Sequence, residues 1–350
     1  MTPGEPSPIA ARRTAARARR WRSSGRWLEL GTLLVLLVLP GVAPSFQVVD
    51  VALKIAIFAA FVASYDVLIG YTGIVSFGHA MFFGLGAYTV ALSVSRLGAP
   101  DWPHLLLGFA LAAVGTAVLA FLVGAFSLRV KAIFFAMITL AFAEFALILA
   151  VQLSALTGGE DGITPTLPPS LGRTATYYVV LGLCAVLFWL MTRFVASPLG
   201  RTLQAIRDNA LRAEALGYRT FVYQSIATAF ASVVAAMLGG AWVLWVRYVN
   251  PDSTLGIHVM LDILLMVIIG GIGTLDGAIV GAAVLLLAQT LLPNLRAAGA
   301  VLFPASELVQ RLTDRWLLWF GVLFVLVVFF FPKGVLGTLR ARWTDRRTAS

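Results

Sequence analysis

Charge is scarce in this chain. Only 12% of its 350 residues are Asp, Glu, Lys or Arg, about half the roughly 25% of an ordinary soluble domain, which excludes a water-soluble fold. Cysteine is scarcer still: Cys184 stands alone inside an apolar block. It reads as a small packing residue, so there is no intramolecular disulfide and no cysteine-based metal site. Lysine occurs only as Lys54, Lys131 and Lys333, none of them after a glycine. The G-x-x-x-x-G-K-[ST] phosphate loop is therefore absent, and the chain does not hydrolyse ATP by that route. Neither an H-E-x-x-H helix nor a nucleophile with its base is visible, so an enzyme, including an intramembrane one, has no catalytic set to stand on.

What fills the chain is apolar: 60% of its residues, gathered into blocks close to the ~20 residues a helix needs to cross a bilayer. The predicted fold is an all-α polytopic membrane protein with eight to ten transmembrane helices, some short or broken. The blocks lie near 28–48, 50–70, 77–97, 103–127, 132–153, 176–196, 221–247, 257–271, 278–292 and 315–332. The eighth and ninth are short and fit either two crossings or a re-entrant hairpin. An even number is favoured, with both termini on one side.

The formal net charge of +10 does not indicate nucleic acid, because the basic residues sit between and outside the apolar blocks, where they orient helices in a membrane. With the N-terminus inside, the inner segments hold nineteen Lys and Arg, the outer segments six, and Lys54 falls within the second block. This positive-inside distribution predicts cytoplasmic termini. Residues 1–27 carry seven arginines ahead of an apolar run, as a signal peptide does. No small-x-small cleavage site precedes Pro40 and Pro44, so an uncleaved first helix is the reading adopted. The predicted organisation is a basic tail (1–27), a transmembrane domain (28–338) with a cytoplasmic segment at 197–220, and a second basic tail (339–350).

Two glycine-rich interruptions follow the second and eighth blocks. The first contains Gly70-Tyr71-Thr72-Gly73, Ser76, Gly78-His79 and Phe83-Gly84-Leu85-Gly86-Ala87-Tyr88; the second is Gly270-Gly271-Ile272-Gly273-Thr274-Leu275-Asp276-Gly277. In hydrocarbon, irregular backbone is tolerated only where protein or a water-filled cavity satisfies it. Ser76, Ala80 and Gly84, and again Gly273, Gly277 and Gly281, recur every four residues, which lets a neighbouring helix approach closely. Close packing and a break lining a translocation path both fit. Gly70, Gly73, Gly78, Gly270, Gly271, Gly273 and Gly277 are the helix-break candidates; Tyr71, Thr72, Ser76 and His79 are path candidates. His79 lacks metal-type neighbours and reads as a hydrogen-bonded packing residue before a ligand. The outer loop Thr157-Gly158-Gly159-Glu160-Asp161-Gly162 is turn chemistry, suited to a plain connector, an external mouth or a partner contact.

Residues 197–220 are too polar to span. Ser197 suits a helix N-cap and Pro198 the first helical position. Leu199, Leu203, Ile206, Ala210 and Ala213 follow at spacings of four and three, and Gly217 supplies a stop. Asp208 and Arg212 are placed to pair at i,i+4. The result is an amphipathic cytoplasmic helix, fit for an anionic lipid surface or for docking a cytosolic protein. Ionisable side chains inside spans are costly and hence site candidates: Glu144 near the middle of the fifth block, joining the path candidates, Asp66 towards the inner end of the second, and Asp262 towards the outer end of the eighth.

From about residue 50 to 338 the sequence resembles the LivM-type permeases of branched-chain amino acid ABC transporters. Six segments carry the resemblance in the family's order: the first interruption; Phe135-Ala136-Met137-Ile138-Thr139-Leu140-Ala141-Phe142-Ala143-Glu144; Leu156 with the outer loop; 200–217 with Ala205-Ile206-Arg207-Asp208-Asn209; the second interruption; and Phe331-Pro332-Lys333-Gly334. The resemblance implies the permease subunit of an ATP-binding-cassette importer, forming the path for leucine, isoleucine and valine. Implied partners are a second, LivH-like permease, two cytosolic LivG/LivF-like ATPases and a periplasmic solute-binding protein. The chain itself binds no cofactor on this reading; ATP and Mg are used by the ATPases.

The same resemblance assigns Arg201, Ile206, Arg207, Asp208, Ala210, Ala213, Glu214 and Gly217 to an ATPase-coupling segment, the counterpart of the Glu-Ala-Ala-type loop of importer permeases. Ala213-Glu214-Ala215-Leu216-Gly217 fits the family's local form. Leu211 replaces the wider superfamily's Glu, Gln224 stands where Lys is frequent, and Asp66 where Asn is frequent. Relatives with this pattern also carry urea, short amides or other amino acids. An ion-coupled secondary transporter would share the broken helices and intramembrane carboxylates, but has no need of the cytoplasmic amphipathic helix.

Overall fold

The computed structural model describes residues 28–42, 45–96, 101–127, 132–294, 315–331 and 334–338. The basic tails at 1–27 and 339–350, with Pro332 and Lys333, lie outside the described residues. Two units are distinguished, Met1–Val49 and Asp50–Ser350. In the first, apolar helix α1 (Leu28–Val42) accommodates Thr32 by letting its hydroxyl donate to the Leu28 carbonyl at 2.8 Å, so that no polar group is left bare.

Helix α2 (Phe46–Ile69) leads into the second unit, which continues with α3 (His79–Arg96), α4 (Trp102–Ser127), α5 (Ala132–Gln152), short α6 (Ser154–Thr157), α7 (Arg173–Ala196), α8 (Pro198–Asp208), α9 (Ala210–Ala215), α10 (Thr220–Val246), α11 (Pro251–Leu255), α12 (Ile257–Gly270), α13 (Leu275–Leu291) and α14 (Trp316–Phe330). Each predicted span is a helix, and among the described residues no strand occurs beyond an isolated bridge, Ile163 to Val249. Among the described residues, seven stretches are long and apolar enough to cross a membrane. The 24 residues of α2, for example, rise about 36 Å against a hydrocarbon thickness of about 30 Å. The eighth predicted span gains length from α11: Asn250 caps it by accepting from the Ser253 amide, and Pro251–Gly270 together reach 20 residues. Helix α13, at 17 residues, stays shorter.

Helices α3 and α10 are the most enclosed, and small residues bring them together. A Cβ on Gly86 would strike the backbone of Ala236, one on Gly239 the backbone of Phe83, and one on Gly84 the side chain of Leu255. The second run behaves alike, since Gly270 meets the Gly277 backbone and Gly281 the Met266 carbonyl, drawing α12 onto α13. Helices α4, α5 and α14 instead show large apolar side chains outward, among them Val114, Phe121, Ile133, Met137, Val325 and Phe329. That composition suits lipid, whose tails are as apolar as leucine.

The reversals of the second unit sort to two ends. At one, 70–78, 197–219, 271–274 and Gly334 gather, Gly334 lying against the backbone of Gly270 and Gly271. At the other, the outer loop folds back rather than merely connecting. Ile163 and Val249 exchange backbone hydrogen bonds at 2.7 and 3.0 Å, Tyr248 Oη donates to the Asp161 carbonyl, and Arg96 donates to the Ala155 carbonyl. An open cavity of about 410 Å³ lies there between the end of α3 and residues 158–166.

Candidate functional site

The first interruption is an ordered turn whose polar groups are nearly all used. Gly70 N–H donates to the Asp66 carbonyl at 2.7 Å, and the Thr72 and Ile74 amides both return to the Leu68 carbonyl. The Thr72 hydroxyl donates to Leu68 at 2.6 Å and accepts from Ile74, while Ser76 Oγ accepts from Gly78. Helix α5 contributes Thr139, whose hydroxyl accepts from Phe77 N–H at 3.1 Å. Irregular backbone at membrane depth is sustained by this kind of satisfaction.

The two interruptions meet. Asp66 Oδ1 accepts from Gly273 N–H at 2.7 Å. From α8, the Arg207 guanidinium donates to the Gly70 carbonyl. Gly73 and Gly273 hold positive φ, +74° and +79°, a region costly for residues with a Cβ. A Cβ on Gly73 would sit 2.9 Å from Arg207 Cγ, so the arginine stem runs over the glycine. Tyr71 is half-buried beside this cluster, where burial, with the carboxylates of Asp66 and Asp276, pushes its hydroxyl pKa above the ordinary value.

Other predicted residues take no part in those contacts. His79 is fully buried, its Nε2 2.9 Å from Ser64 Oγ and its ring stacked on Phe61, in keeping with a packing residue. Thr72 and Ser76 are also buried and spend their hydroxyls on local backbone. Glu144 is half-buried on α5, with exposed Phe145 and Ile148 beside it. Asp262 accepts from Gln289 of α13, both oxygens at 3.3 Å.

Segment 197–220 departs from a single helix. Ser197 caps α8 as predicted, accepting from the Gly200 amide, with Pro198 at the first position. The helix then breaks at Asn209, whose side chain accepts from Arg212 N–H and starts α9; an Asn side chain competes with helical bonding in this way. Asp208 approaches Arg207 at 3.6 Å rather than Arg212. Gly217 turns the chain at φ +91°, and Glu214 accepts from the Thr220 hydroxyl at 2.6 Å. Arg201 is exposed. Of the predicted apolar face, Leu203, Ile206 and Ala213 are buried within the chain, whereas Ala210 is exposed. The break rotates α9 relative to α8, and the outward apolar residues are Leu211 and Leu216, 79% and 71% exposed.

Residues 47–331 match the family described as the permease component of the branched-chain amino acid transport system. The chain belongs to this family. This permease is 27% identical over 343 residues to the high-affinity branched-chain amino acid transport system permease protein LivM of Escherichia coli K12, covering 89% of the present chain and 75% of that protein. LivM of Salmonella typhimurium is 28% identical over 88% and 75% of the two chains. The probable branched-chain amino acid transport permease protein LivM of Methanocaldococcus jannaschii is 24% identical over 78% and 88%. No solved structure matches.

Sequence reasoning singled out Asp66, Arg207 and both interruptions of this permease but left them separate, because positions 207 residues apart carry no local signal of contact. It passed over Gly239 and Gly240 altogether. Adjacent glycines in the middle of an apolar block were the available sign of a close helix crossing.

Proposed function

We propose that this permease is the membrane-spanning subunit of an ATP-driven importer of branched-chain amino acids in a bacterial inner membrane. It works with a related second permease, two cytosolic ATPases and an external solute-binding protein. ATP and Mg are bound by the ATPases and no cofactor by this chain. The end that carries α8 and α9 faces the cytoplasm, where its arginines obey the positive-inside rule.

One observation supports the coupling role most directly. A polar helix pair is anchored to apolar helices by buried Leu203, Ile206 and Ala213, while Leu211 and Leu216 stand outward and Arg201 and Arg212 are also exposed. An apolar patch with a charged rim at a membrane surface has the anatomy of a protein interface. An ATPase closing on ATP would push this pair, and the anchors would pass the movement to the spans. Tyr71 and Glu144, half-buried, are the retained path candidates.

The test is purification from native membranes followed by leucine uptake in reconstituted vesicles. Uptake that needs ATP and co-purified ATPases is expected. Uptake by the lone chain, driven by a proton or sodium gradient, overturns the proposal.

A further inference from the structure

We propose that Arg207 and Asp66 act as one clasp that ties both glycine interruptions to the coupling segment, so that α8 moves the α2–α3 and α12–α13 junctions together. The proposal rests on the coupling reading above. Arg207 is then a positioning residue for transport, not a docking contact alone.

The chemistry of helix ends carries the argument. The Gly70 carbonyl lies just past the C-terminal end of α2, where carbonyls lack helical partners and partial negative charge collects; the Gly273 and Thr274 amides lie at the N-terminal end of α13, where the charge is positive. Each end is met by a side chain of opposite sign: Arg207 on Gly70 and Asp66 on Gly273 at 2.7 Å. Glycine leaves room for the arrangement, since a Cβ on Gly73 would meet the Arg207 stem at 2.9 Å and one on Gly273 its Nη1 at 3.5 Å. Arg207 is thus the one α8 side chain in hydrogen-bond contact with the first interruption among the described residues, and Asp66 extends that contact to the second. The end of α2 and, through Asp66, the approach to α13 are thereby tied to a single guanidinium of the segment proposed to receive the ATPase stroke.

The experiment uses the assembled complex in vesicles and compares Arg207→Ala, Asp66→Ala, the double variant and Asp66→Asn for leucine uptake per ATP hydrolysed, with subunit stoichiometry recorded. Each alanine variant should lose about tenfold in uptake per ATP, the scale of such coupling changes, while keeping its ATPases. The double variant should be no worse than the poorer single one, because one clasp can be broken only once. Asp66→Asn retains an oxygen to accept from Gly273 and should recover most of the loss. Additive losses, full uptake per ATP in Arg207→Ala, or a loss explained wholly by missing ATPases would each overturn the clasp. If the alanine variants fail to insert, Arg207→Gln decides: unchanged uptake per ATP overturns the proposal and a reduced value supports it. Failure of the coupling reading itself is distinguishable, because the wild-type complex would then show no ATP-driven uptake.

Discussion

Gly86 of α3 lies so close to the backbone of Ala236 in α10 that no Cβ fits between them. Gly239 makes the reciprocal approach to Phe83, and the two contacts set how near the central helices of the permease come. Within a bilayer there is no hydrophobic drive between helices, so contact packing of this kind supplies much of their association.

Enlarging either glycine should therefore be costly. Gly86→Leu or Gly239→Leu should destabilise the permease by about 1–3 kcal/mol, the usual range for overpacking. Gly182→Leu, on α7, where a Cβ meets nothing within 4 Å, should leave stability unchanged or raise it, by up to about 1 kcal/mol of helix propensity. Thermal midpoints in detergent check the contrast; equal losses at all three sites would refute the packing account.

The two apolar faces of the α8–α9 pair should separate by phenotype. Leu211→Asp and Leu216→Asp change exposed side chains and should cut co-purified ATPase by about tenfold without loss of the permease, as expected of interface anchors. Leu203→Ala empties a site with 0% exposure and should instead destabilise the chain, by about 2–5 kcal/mol. Quantitative co-purification beside membrane abundance is the measurement.

Glu144 places a carboxylate half-exposed among apolar side chains on α5, a costly arrangement in hydrocarbon. Glu144→Gln should impair transport or assembly, and Glu144→Leu should do so more. Normal uptake and normal abundance in both variants would remove Glu144 from the path.

Orientation is directly testable. A reporter active only outside the inner membrane should be silent when fused after Ser350, and one active only in the cytoplasm should work there. The opposite pattern would invert the topology predicted by nineteen inner against six outer basic residues.

Composition and periodicity by themselves determined that the chain is helical and spans repeatedly, because each span must satisfy its own backbone bonds and the ~20-residue length is set by the bilayer. They also located the α8 cap at Ser197 and the turn at Gly217, since capping and positive φ are properties of a few adjacent residues. The break at Asn209 was hidden by an apolar spacing that runs through it. Tertiary structure alone decided that Asp66 reaches Gly273, that Arg207 reaches Gly70, and that Gly239 seats against Phe83. Those are meetings of helix ends and helix faces far apart in sequence, and what selects them is the pairing of opposite partial charges and the fit of surfaces, which no local pattern records.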